Sequence, residues 1–228
     1  MCIRDRSKVE VLADGSIRGS GGERPLDYRL SLETKITNIT GLIVEAVPDL
    51  SFKGGPGLSK DGNFVITEVE AKWQGLEAGS QEVPVVFGDA RATFTQKDFD
   101  VKRTFDGNLD GGNRGWAIGG GNYKIPHRAV FKMRDVIPGN ADKGVKLNVG
   151  ILCRFKSHPL RKFRIYITTT PDPLQHTGIA AVEAGLPARI AEVVAKDPSS
   201  RSEVDRVLLR NWVAESDAEY QHLSLIHI

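Results

Sequence analysis

The sequence predicts an all-β fold: an antiparallel β-sandwich followed by two short C-terminal helices. Three observations predict it. Apolar and polar residues alternate through the first three quarters of the chain, turn residues separate the alternating runs, and no strand–helix–strand spacing occurs. The bulk numbers agree, with 228 residues, 40% apolar, 26% charged, 24 Gly and 11 Pro. That length allows one large domain, or one domain and part of another, with a sizeable core.

The elements follow in order. Val9 to Leu12 leads into the turn Asp14-Gly15-Ser16. Tyr28 to Glu33 alternates cleanly, and Leu42 to Val47 is a mostly apolar strand stopped by Pro48-Asp49. The loop Lys53-Gly54-Gly55-Pro56-Gly57 and the turn Asp61-Gly62-Asn63 precede Phe64 to Trp73, the strongest strand signal in the chain. Val83 to Phe87, Ala90 to Phe94, Gly115 to Ile118, Ala129 to Met133, Val145 to Cys153 and Phe163 to Thr169 complete nine or ten short strands. After Pro171-Asp172-Pro173 the pattern changes. Pro187 suits a first helical turn, with Ile190, Val193 and Val194 on one face. Ser200 and Glu203 have capping-box spacing, and Val204, Leu208 and Trp212 then line one stripe. The expected organisation is a β-sandwich module over 7–175, a linker over 176–186, and over 187–222 the helical start of a further domain.

Both ends read as translated sequencing adapter. Met1-Cys2-Ile3-Arg4-Asp5-Arg6 corresponds to ATG-TGT-ATA-AGA-GAC-AG, and residues 223–228 to CTG-TCT-CTT-ATA-CAC-ATC. These strings are reverse complements. Residues 1–6 and 223–228 are therefore set aside, and the absence of a leader says nothing about location. Cys153 is then the one native cysteine, which excludes an internal disulfide.

Charge and hydropathy exclude further classes. A formal net charge of +2 is too balanced for a phosphate-tracking face, so no nucleic-acid partner is expected. No apolar run nears the ~20 residues of a membrane span. There is no Gly-x-Ser-x-Gly elbow, Walker loop or haem motif, and Gly119-Gly120-Gly121 lacks the strand-then-helix context of a phosphate loop. Cys153, within Val149 to Cys153, reads as a buried inert thiol. Histidines 127, 158, 176 and 222 share no metal-ligand spacing and read as surface or capping residues.

Two constellations could carry chemistry. Asp106, Asn108 and Asp110 match the first half of a calcium loop, but position twelve is Ala117 and the flanks are strand-like. Either a lone structural Ca2+ site or a tight turn with side-chain-to-backbone bonds fits them. The second is Phe105-Asp106-Gly107 with Trp116 and then His127-Arg128. An Asp-Gly turn followed by an inward Trp is similar to galactose-binding-like (jelly-roll-like) sandwiches. Trp116 is then either core or a sugar-stacking platform. The candidate ligand-binding residues are Trp116, Asn122, Tyr123, His127 and Arg128, with polysaccharide as the expected partner. Arg154, Lys156, Arg161, Lys162 and Arg164 form a basic run, read as a solvated face or as a seat for an anionic glycan or a neighbouring domain.

Several segments together resemble one module: Thr40 to Asp49, Asp61 to Glu70, Ala92 to Gly107, Gly115 to Ile118, Arg161 to Thr169 and Leu186 to Ala195. The chain resembles the middle region of large planctomycete cytochrome-c-type proteins, between their two conserved domains of unknown function. The resemblance implies a periplasmic or cell-surface, multidomain setting, with haem c held upstream and no cofactor in this piece. The expected function is a non-catalytic module that binds carbohydrate or docks neighbouring domains. The alternatives are the substrate arm of a hydrolase and a ligand-free spacer.

Overall fold

The computed structural model describes residues 9–20, 26–59, 61–109, 112–155, 158–175, 190, 193, 196 and 198–216. The adapter-like ends and the 176–186 linker lie outside them. The chain divides into two compact units, Met1–Ile179 and Ala180–Ile228.

The first unit is all-β and antiparallel, as the alternation predicts. A six-stranded sheet has the order β1-β2-β12-β4-β10-β8. Its strands are β1 (Val9–Val11), β2 (Ile17–Gly19), β4 (Ile39–Ala46), β8 (Phe87–Ala92), β10 (His127–Ile137) and β12 (Lys162–Thr168). A four-stranded sheet has the order β3-β11-β6-β7, from β3 (Leu26–Thr34), β6 (Glu68–Gly75), β7 (Val83–Pro84) and β11 (Val145–Cys153). A two-stranded ribbon pairs β5 (Val65–Ile66) with β9 (Trp116–Ala117).

One core joins the two larger sheets. Leu42, Val44, Ala46, Phe131 and Phe163 of the first cluster with Val69, Ala71, Leu147, Val149 and Ile151 of the second. Tyr28 of β3 meets Phe163 of β12 edge to face at 4.7 Å, and its hydroxyl donates to Leu160 O at 2.7 Å. Burial of this period-2 stripe supplies the main drive to fold, at roughly 25 cal/mol per Å² of apolar surface. The alternate residues of β3, β11 and β6 are left facing outward.

Three boundaries differ from the sequence reading. The expected strand Phe64 to Trp73 divides at Thr67, whose N–H and hydroxyl both donate to Leu152 O, at 2.7 and 2.8 Å. That doubled bond switches the chain from pairing with β9 to pairing with β11. Phe87 opens β8 rather than ending the previous strand, because Val85 N already bonds back to Ala71 O. β2 is three residues long, too short for a periodic signal, and is held by β1 and β12.

In the second unit the described helix is α1 (Glu203–Ser216). Its capping box is Ser202–Asp205 rather than Ser200–Glu203. Asp205 N donates to Ser202 Oγ at 3.2 Å, and Ser202 N donates to Asp205 Oδ2 at 3.0 Å. Ser200 is instead used in the 3-10 turn Pro198–Ser200. Val204 is exposed, so the half-buried residues of the stripe are Leu208 and Trp212. Of the helix expected from Pro187, Ile190 and Val193 are described, both helical and buried.

Candidate functional site

The outward face of the four-stranded sheet is a registered row of polar side chains. Ser31, Asn148, Lys72 and Pro84 stand side by side across β3, β11, β6 and β7. Ser31 Oγ donates to Asn148 Oδ1 at 2.9 Å, and Asn148 Nδ2 donates to Glu82 Oε1 at 2.9 Å. Lys72 Nζ donates to Glu82 Oε2 at 3.0 Å. These partners, Asn148 first, hold the Glu82 carboxyl below its ordinary range. The next row places Gly150 between Arg29 and Glu70, whose side chains form an ion pair above it. The row beyond holds Asp27, Leu152 and Glu68, with Arg154 Nη2 on Asp27 at 2.7 Å.

This face forms one wall of a cleft of about 740 Å³. Glu68, Glu70, Lys72, Glu82, Arg29 and Asn148 supply its polar lining, and Val85, Phe87, Phe105 and Gly107 its apolar side. The volume falls in the range of small-ligand sites.

Glu68 is the distinctive group of the cleft. Although charged in type, the residue is only 5% exposed. Its Oε1 accepts from Gly107 N at 3.1 Å, and its Oε2 is buried with no partner among the described residues. Burial raises its carboxyl to about 7, with Asp106 and Glu70 adding to the shift and Gly107 N–H and Arg114 opposing it.

The residues singled out from sequence lie elsewhere and do different things. Trp116 is fully buried, its ring edge to face with Phe64 at 5.0 Å and its indole N–H donating to Phe94 O at 2.9 Å. It therefore packs the core, and the stacking-platform reading is corrected. His127 is buried too, with Nε2 2.8 Å from Asn122 O and Nδ1 3.3 Å from Thr93 Oγ1. Burial lowers its pKa, so it is a neutral core histidine and neither a surface residue nor a ligand contact. Asn122 is exposed, and its Oδ1 accepts from Lys124 N. Tyr123 ties a loop, accepting from Gly120 N at 2.9 Å and donating to Asp61 Oδ2 at 3.1 Å. Arg128 Nε donates to the buried Glu45 at 2.8 Å. None of these five lines the cleft on the sheet face.

Asp106 behaves as a turn residue. Its Oδ1 accepts from Asn108 N at 2.9 Å and its Oδ2 pairs with Arg114. Asp110 lies outside the described residues. No group of three or more carboxylate, histidine or cysteine side chains suited to a metal occurs among the described residues.

The basic run is no free patch. Arg154 pairs with Asp27, Arg164 with Asp14 and Glu45, and Lys162 with Asp49. Arg161 is buried, contrary to a solvated face, and Lys156 is outside the described residues. Cys153 is buried and its thiol is pushed up to about 12, which makes it inert. His158 stacks edge to face on Phe155, and His176 and His222 are outside the described residues. Among the described residues no helix is long and apolar enough to cross a membrane.

Sequence reasoning missed Glu68 and its row. The signal was present in the alternation of Glu68, Glu70 and Lys72, which share a face. What hid the site is that Gly107, which closes over Glu68, is distant in sequence. No protein-family model, curated protein or solved structure matches the chain.

Proposed function

We propose that the chain is a non-catalytic carbohydrate-binding module, a galactose-binding-like β-sandwich set in a larger exported protein. The observation that supports it is the registered polar face of β3, β11, β6 and β7 together with the cleft it walls. Sugar hydroxyls both donate and accept, and a face alternating Arg29, Asn148, Lys72, Glu70 and Glu82 offers both roles at strand spacing. Phe105, half-buried on the other wall, suits the C–H side of a pyranose. Glu70 and Glu82 are each held by a cation, an arrangement that positions a ligand rather than moving a proton. The ligand site of this reading is thus the sheet face, not the residues around the start of β10.

Affinity electrophoresis of the full chain through gels containing neutral polysaccharides tests the reading. Retardation by at least one of them is expected, with retardation lost in a Lys72→Ala/Asn148→Ala double variant of unchanged circular dichroism. Unretarded migration on β-glucans, mannans and galactans alike rejects it.

A further inference from the structure

Within the cleft, Glu68 stands apart from its neighbours because no cation is committed to it. Asp106 and Arg114 face it from the loop after Phe105, and Arg114 is already paired with Asp106. Glu70 lies two residues along its own strand and is paired with Arg29. Across the register, Leu152 separates it from Asp27, itself held by Arg154. The one bond it accepts comes from Gly107 N–H, and Oε2 is buried without a partner among the described residues. Glu68, Gly107 and Phe105 all line the cleft, so Glu68 belongs to the wall that a ligand would meet, with Oε2 just beneath it and reaching a ligand when the carboxyl turns.

We propose that Glu68 is the cleft's proton-bearing recognition group, which as the uncharged acid donates Oε2–H to a hydroxyl of a neutral polyol ligand. The inference rests on the carbohydrate reading above and adds a direction to it. A ligand seated on the cleft removes the water still reaching Glu68. Covering an ionised carboxylate with a neutral sugar costs far more than covering the neutral acid, which loses only hydroxyl hydration and regains it as a bond to the sugar. The proton comes from solvent, so binding and proton uptake are linked.

The linkage has a definite sign. With Glu68 titrating at about 7, the protonated fraction falls ~30-fold between pH 5.5 and pH 8.5, and the apparent affinity falls with it. Isothermal titration of the full chain with the neutral polysaccharides that retard it, at pH 5.5, 7.0 and 8.5, reads this directly. Weakening of about that factor is expected in the unmodified protein. A flat profile is expected in Glu68→Gln, whose amide keeps the bond from Gly107 and still carries a donor. Binding that is equally tight at all three values, or that keeps its slope in Glu68→Gln, overturns the inference and leaves the carbohydrate reading standing. No binding at any pH overturns both. A ligand-free arm covers the case in which the variant fails to fold. Carboxyl-carbon NMR of the unmodified chain is expected to place the Glu68 midpoint well above other glutamates, and a midpoint in their ordinary range overturns the inference.

Discussion

Gly150 lies directly beneath the ion pair between Arg29 and Glu70. A Cβ built on it would overlap Arg29 Nη1 and meet Glu70 Cγ at 2.8 Å. The absence of a side chain on β11 is what lets its two neighbours, β3 and β6, join over it. A strand interior normally disfavours glycine, so its presence here marks a close approach. The register puts that approach in the centre of the polar face.

Gly150→Ala is accordingly expected to separate binding from stability. The obstructed atoms, Arg29 Nη1 and Glu70 Cγ, belong to two exposed side chains that must both swing away, and alanine gains roughly 0.5–1 kcal/mol of backbone entropy over glycine in a strand, which offsets that shift. The melting temperature should stay within a few degrees while retardation in polysaccharide gels drops. A variant that melts much lower with binding intact per folded molecule contradicts this account of Gly150.

Glu68 should make the protein less stable as pH rises. Its folded-state carboxyl titrates at about 7, above the ordinary 4.5, so the native state holds the extra proton between those values. Stability from this group is complete below about 4.5 and is lost as pH rises towards 7. Glu68→Gln, neutral at every pH, should therefore be the more stable protein at pH 8, with the gap closing towards pH 4.5. Discounted for residual solvent, the gap at pH 8 is on the order of 1–2 kcal/mol. Urea melts of both proteins at four pH values measure it, and a gap independent of pH would sink the assignment.

What was legible in the sequence, and what was not, follows from range. Val145 to Cys153 reads as a strand by its own composition and is β11 to the residue, because both faces and both neighbours favour it. Thr67 could not be read as a break, since its two bonds go to Leu152 on a strand far along the chain. For Trp116 the sequence leaves core and stacking platform both open, and Phe64 and Phe94 O, on distant segments, decide for the core. Alternation places Glu68 outward but not under Gly107, which alone makes it unusual. Local pattern carries the sheet faces, whereas loop closure over a face creates the site.

Trp116 should behave as core in every assay. Trp116→Ala is expected to cost about 3–5 kcal/mol, the usual range for emptying a buried aromatic site. Trp116→Phe keeps much of the packing against Phe64 but leaves Phe94 O without its donor, a loss of about 1–3 kcal/mol. Guanidinium melts give both values. Carbohydrate binding corrected for the folded fraction should be unchanged in Trp116→Phe, and a selective loss of binding there would return the residue to the ligand site.

Glu45 is a second buried carboxylate of the sandwich, and its environment drives it the opposite way. It is 3% exposed on β4, where burial alone would favour the neutral acid. Arg128 Nε at 2.8 Å, Arg164 Nη1 at 3.1 Å and the Tyr166 hydroxyl at 3.1 Å outweigh that burial and hold its pKa below 4.5. Arg164 also grips Asp14 at 2.8 Å, so the cluster ties β4, β10 and β12 to the first turn of the chain. Glu45→Gln leaves two guanidinium groups side by side without their shared anion. Removing one partner of a buried charge cluster costs several times an exposed pair, here about 2–4 kcal/mol. Because the folded pKa is depressed, this contribution is complete above about 4.5 and is lost as pH falls through the folded value. The difference in melting free energy between the unmodified chain and Glu45→Gln should thus be constant from pH 8 to pH 5 and shrink in more acid solution. A difference that instead grows as pH falls would show that the carboxylate is not what the arginines hold.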